Sequence, residues 1–86
     1  MDSNEQRDNE KTDYTMKNED GSPSSIRLDK FVSDILHKNG HDVHKWLQEK
    51  YDRVCEESPH LSRRAKGDKV RLQAYAEVGI SPPSDF

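Results

Sequence analysis

The sequence predicts a small all-α fold: a three-helix domain over about residues 26–79, between a disordered acidic N-terminal tail (1–25) and a proline-containing extension (80–86). Three observations lead there. Apolar residues recur at helical spacing from Leu28 onward. Asn39-Gly40, Pro59 and Gly79 fall where helices of ordinary length stop. The first 25 residues hold only Met1, Tyr14 and Met16 as sizeable apolar groups, too few to offset an ordering cost of about 1–2 kcal/mol per residue.

Only 29% of the 86 residues are hydrophobic while 36% are charged, so the core must be small. A chain of this length buries roughly 60% of its unfolded surface, which leaves little material for a deep catalytic cleft. A non-enzymatic binding module that needs no cofactor is the expectation. No run of 18 apolar residues is present to cross a membrane. The N-terminal stretch lacks the apolar centre of a secretory signal and is too acidic for a mitochondrial transit peptide. A single cysteine, Cys55, fits a reducing compartment. The expected location is cytoplasmic, or nuclear in a eukaryote.

The first helix is expected over about 27–38, with Leu28, Phe31, Val32, Ile35 and Leu36 on one face and Ser25 or Asp29 as its cap. Asn39-Gly40 supplies the left-handed stop. The second starts at Asp42 and carries Val43, Trp46, Leu47, Tyr51, Val54 and Cys55 on one stripe until Pro59 forbids continuation. Trp46 is its natural core centre. The third, 61–79, can be capped by Ser62, and Gly67-Asp68 either weakens it or divides it. Pro82-Pro83 excludes helix beyond Gly79 and favours polyproline II.

Residues 37–44, HKNGHDVH, bring His37, His41 and His44 together in the chain. On one unbroken helix they would share a face and, with Asp34 or Cys55, offer zinc a tetrahedral ligand set. Asn39-Gly40 breaks that helix, so the run is a joint between two helices and no metal site is expected. Cys55 sits on an apolar stripe beside Glu56 and Glu57, which oppose thiolate formation, and so reads as structural. Ser22, Ser58 and Ser81 each precede a proline, an arrangement that helix ends and turns produce by themselves.

Charge is unevenly distributed. Residues 1–25 hold seven acids against three bases, whereas 58–86 hold five bases against three acids. The five bases are Arg63, Arg64, Lys66, Lys69 and Arg71, opposed within that run only by Asp68. Such a cluster can follow phosphates, form a solvated helix face, or be screened by the acidic segment folding back over it.

The stretch SSIRLDKFVSDILHKNGHDVHKWLQEKYDRV (24–54) resembles the ribbon-helix-helix family of dimeric DNA-binding repressors, which have a short strand, a helix, a glycine-containing turn and a second helix. The resemblance covers 31 of the 86 residues and leaves the third helix as an addition the family does not require. It implies that Ser25 and Arg27 face bases in the major groove while Ile26 and Leu28 face the core. The run LQAYAEVGIS (72–81) does not extend to a helix-turn-helix, because Pro82-Pro83 leaves no recognition helix.

Together these features predict a small regulatory or adaptor protein that binds another macromolecule, favourably a protein, with the acidic tail modulating the contact. The alternative is a DNA-binding transcriptional regulator, either a ribbon-helix-helix-like homodimer or a binder using its basic helix. The residues expected to carry the contact are Arg27, Arg63, Arg64, Lys66, Lys69 and Arg71.

Overall fold

In the computed structural model, which describes residues 10–83, the chain opens with a β-hairpin where a disordered tail was expected. Strand β1, Lys11–Lys17, pairs antiparallel with β2, Pro23–Asp29, in a register running from Lys11↔Asp29 to Lys17↔Pro23. Residues 1–9 and 84–86, the outer part of the acidic segment and the end of the C-terminal extension, lie outside the described residues. Both strands alternate. Thr12, Tyr14 and Met16 turn inward on β1, and Ser24, Ile26 and Leu28 on β2, while the residues between them are exposed or carry charge. The connecting turn is set by Gly21, whose φ of 86° lets its N–H reach Asn18 O at 2.9 Å.

Three helices follow: α1, Lys30–Lys38; α2, Val43–Glu57; and α3, Arg63–Val78. The described chain is therefore a mixed α and β fold, and the all-α expectation is corrected. Period-two burial through Ile26 and Leu28 competes with the helical spacing of the same residues and wins, because the hairpin can lay that face on the helices. A two-stranded ribbon is marginal in water and becomes stable only by such packing. As a result α1 begins at Lys30 rather than 27. Phe31, counted on its buried face, is instead 41% exposed.

Between α1 and α2 the chain turns as the sequence indicates. Asn39 ends α1, Gly40 takes a φ of 95°, and the Asp42 carboxylate accepts a hydrogen bond from Lys45 N at 3.2 Å. β1 lies along α2 and β2 along α3. The core gathers Met16, Ile26, Leu28, Val32, Leu36, Leu47, Tyr51, Val54, Val70, Ala74 and Tyr75. Trp46 belongs to the same cluster at 8% exposed, less enclosed than Leu36, Leu47 or Tyr51, with Lys50 Nζ 5.3 Å from its ring centroid.

Gly67 does not divide α3, which is continuous. It is buried where the helix crosses β2, and a Cβ built there would meet Ile26 Cγ1 at 3.7 Å, an ordinary van der Waals distance. Gly67→Ala is therefore expected to raise stability by about 0.5–1 kcal/mol through helix propensity. A fall in thermal midpoint instead would show that the α3–β2 crossing tolerates no side chain. The helix ends on Gly79 (φ 76°), with Ile80 N donating to Tyr75 O at 3.0 Å and the Ile80 side chain folded against the core.

Candidate nucleic-acid interface

Because the helices cover only one face of the hairpin, the other is bare. Lys11, Asp13, Thr15 and Lys17 of β1 and Pro23, Ser25 and Arg27 of β2 are all exposed on it. Its exposed residues hold three bases and one acid, and one of the bases, Lys11, is paired with the buried Asp29 opposite it in the ladder. At its middle Arg27 Nε donates to Asp13 Oδ1 at 2.9 Å, and Nη2 approaches Oδ2 at 3.4 Å. The two residues are Cα partners. Backbone bonds from Asn18 N to Ser22 O and from Lys30 N to Glu10 O place them in a non-hydrogen-bonded pair, the closer kind across a ladder. Their hydrogen bond holds the Asp13 carboxyl below the ordinary carboxylate range, and the Arg27 charge adds to this, while Asp13 in turn raises Arg27. Thr15 and Ser25 form the next pair toward the turn on the same face.

The outer edge of β1 is closed by side chains of α2. Lys17 N donates to Gln48 Oε1 at 2.9 Å, and Gln48 Nε2 donates back to Lys17 O at 3.1 Å, as a neighbouring strand would. His44 Nε2 lies 2.8 Å from Thr15 O. A carbonyl oxygen only accepts, so His44 carries a proton on that nitrogen. These contacts explain why β1 does not offer itself to another chain near the turn.

At the turn end, the buried Tyr51 hydroxyl donates to Asn18 Oδ1 at 2.5 Å and lies 3.1 Å from Ser24 Oγ. Asn18 Nδ2 donates to Ser24 Oγ at 2.9 Å and to Ser22 O at 2.9 Å. Arg63 Nη2 donates to Ser22 Oγ at 2.7 Å, and that hydroxyl donates to Asp20 Oδ1 at 2.7 Å. The Ser22 hydroxyl and backbone N–H hold the Asp20 carboxyl below its ordinary range, with a smaller contribution from the Arg63 charge. Ser22, singled out for the proline after it, is thus the link between the turn and α3.

The basic residues of α3 do not form one surface. At about 100° per residue, Arg64 and Lys66 lie about 160° apart around the helix, as do Lys69 and Arg71. Gly67, Val70, Ala74 and Tyr75 make the buried side of α3; Arg63 lies in line with it at the exposed helix start, Arg71 is half-buried on it, and Lys66 and Lys69 turn away from it. Arg71 Nη1 pairs with Asp68 Oδ1 at 3.2 Å. Arg63 and Lys66 line a hollow with Glu19, Asp20, Cys55 and Pro59, so the acidic turn sits against that end of the helix. Of the six residues singled out from the sequence, only Arg27 lies on the bare face. Asp13, Thr15 and Lys17, which join it there, were missed. Their signal was alternation with Tyr14 and Met16 leading into Asp20-Gly21.

The histidines are distributed rather than assembled. His37 is exposed, His41 Nε2 lies 3.4 Å from Glu77 Oε2, and His44 serves β1. Among the described residues no group of three His, Cys, Asp or Glu side chains is placed to hold a metal ion. Cys55 is half-buried against the core rather than wholly enclosed. No helix among the described residues is long and apolar enough to cross a membrane. Comparison with protein-family models, with curated proteins and with solved structures finds no match to this chain.

Proposed function

We propose that the chain is a non-enzymatic DNA-binding regulator that lays the bare face of its hairpin in the major groove. One observation carries this. Residues 23–29 form a strand, followed by a helix, a glycine turn and a second helix, with Ser25 and Arg27 outward and Ile26 and Leu28 buried. That is the arrangement the ribbon-helix-helix resemblance implies, residue for residue. Here the second strand of the ribbon comes from β1 of the same chain. Strands about 4.8 Å apart fit a groove about 12 Å wide, and alternate side chains of a ribbon reach base edges together. Lys17, and Arg27 when it leaves Asp13 for a phosphate or base, supply local attraction that the net charge of the chain opposes.

The full chain should therefore be retained on duplex DNA at low salt and released steeply as salt rises. Arg27→Ala should weaken binding about tenfold or more, since this residue supplies both charge and a two-pronged donor. Lys69→Ala, at an exposed position of α3 away from the bare face, should have a much smaller effect. Absence of duplex binding at low salt would remove the proposal.

A second reading, a protein-binding adaptor, rests on Phe31 and Leu72, which are 41% and 43% exposed on α1 and α3. It predicts a stoichiometric protein partner in a native pull-down from source cells, lost on Phe31→Ser or Leu72→Ser. Recovery of nucleic acid alone would sink it.

A further inference from the structure

The Arg27–Asp13 ion pair joins the two strands on the exposed side of the ribbon. It sits at the centre of the ribbon's bare face, not at its margin, and both side chains are well exposed, 67% and 58%. On this side of the ladder the neighbouring pairs are Lys11 with Asp29, whose side chains are themselves ion-paired, and Thr15 with Ser25, with Lys17 beyond toward the turn. An exposed pair of this kind contributes little to folding, so it opens readily toward a better partner. Its chemistry is directional: Arg27 offers a fork of donors, and Asp13 offers only acceptors.

We infer that Arg27 and Asp13 act as one base-reading unit for a G·C pair in the major groove. The inference rests on the DNA-binding proposal and adds the sequence class that is read and a residue, Asp13, from outside the stretch of resemblance. In the groove a guanine presents two acceptors, O6 and N7, and its cytosine presents one donor, the N4 amino group. Arg27 donates to the guanine pair of acceptors, and Asp13 accepts from the cytosine amino group beside it. In the free chain Arg27 Nε and Nη2 donate to Asp13, so the fork meets guanine once this exposed pair opens, with Asp13 still opposite it across the ribbon. An A·T pair fits neither half, because adenine replaces the O6 acceptor with an amino donor, and thymine replaces the cytosine donor with an acceptor. An acceptor facing an acceptor repels, so Asp13 acts chiefly against the wrong base. It also lowers the positive charge of the face, which restrains binding to phosphates regardless of sequence.

The test compares the full chain on two synthetic 20-base-pair duplexes, one composed of G·C pairs and one of A·T pairs, titrated at several salt concentrations. Wild type should prefer the G·C duplex by about tenfold or more, the discrimination one good bidentate pair supplies. Asp13→Asn should bind the A·T duplex more tightly and lose most of that preference. Arg27→Lys should retain the salt dependence while losing the preference, since it keeps the charge and not the fork. Melting curves of both variants should match wild type, which separates base reading from folding. Intact duplex binding with the same G·C preference in wild type and Asp13→Asn would overturn the inference and leave the DNA-binding proposal standing. Intact binding with no preference in wild type would do the same. Failure of wild type to bind either duplex at low salt would overturn both.

Discussion

Met16→Ala is expected to lower the unfolding free energy by about 2–5 kcal/mol, the usual cost of truncating a buried methionine. At about 4–8 °C per kcal/mol for a domain of this size, the thermal midpoint should fall by at least roughly 8 °C. Met16 has no exposed surface and is the one wholly buried side chain of β1. It inserts into the same cluster as Leu47, Tyr51 and Ile26. Thr15→Ala, one position away on the bare face, should change stability by no more than about 0.5 kcal/mol. Thermal melts of the two variants discriminate sharply, since a disordered tail would make both substitutions neutral. Equal midpoints for Met16→Ala and wild type would mean that the hairpin does not pack on the helices.

The second large effect is expected at Asp29. Its carboxylate is 5% exposed and receives the Tyr75 hydroxyl on one oxygen and the Lys11 ammonium on the other. Asp29 stands at the N-cap position of α1, yet its side chain makes no capping bond, because these two groups draw it away. Asp29→Ala should cost about 2–3 kcal/mol, most of it from the buried hydrogen bond to a charged acceptor. Lys11 is 39% exposed, so its share is small. Asp29→Asn, which retains an acceptor for Tyr75, should cost less. A double-mutant cycle with Tyr75→Phe isolates the pair, and the double variant should be more stable than the sum of the two losses. Strict additivity would show that the hydroxyl and carboxylate do not cooperate in joining β2 to α3.

These two residues also show why part of the fold was legible and part was not. α2 could be read directly: Asp42 caps it, Trp46, Leu47, Tyr51 and Val54 form its stripe, and Pro59 follows its end. The joint at Asn39-Gly40 was equally plain, since a positive φ at Gly40 is what a helix stop requires. The hairpin carried a signal too, in Asp20-Gly21 flanked by alternating residues. It was outweighed because β1 holds only Tyr14 and Met16 as large apolar groups among several charges. Counting apolar residues in 1–25 alone made ordering look unaffordable. The offsetting burial comes from α2, residues away in sequence, through Tyr51 and Leu47.

The same division holds for the candidate interface. Arg27 was identified because Ser25, Ile26, Arg27 and Leu28 alternate in the stretch that resembles a ribbon-helix-helix protein. Arg63, Arg64, Lys66, Lys69 and Arg71 looked continuous because proximity in sequence is not proximity around a helix. Sequence by itself determined that three helices follow, where they stop, the caps at Asp42 and Ser62, and the uneven charge, all of which depend on residues within a turn or two of one another. Tertiary structure alone decided that residues 11–29 are a ribbon, which of its faces is covered, and that Asp13 lies beside Arg27. Those outcomes depend on pairing and burial between distant segments, and no local propensity specifies them.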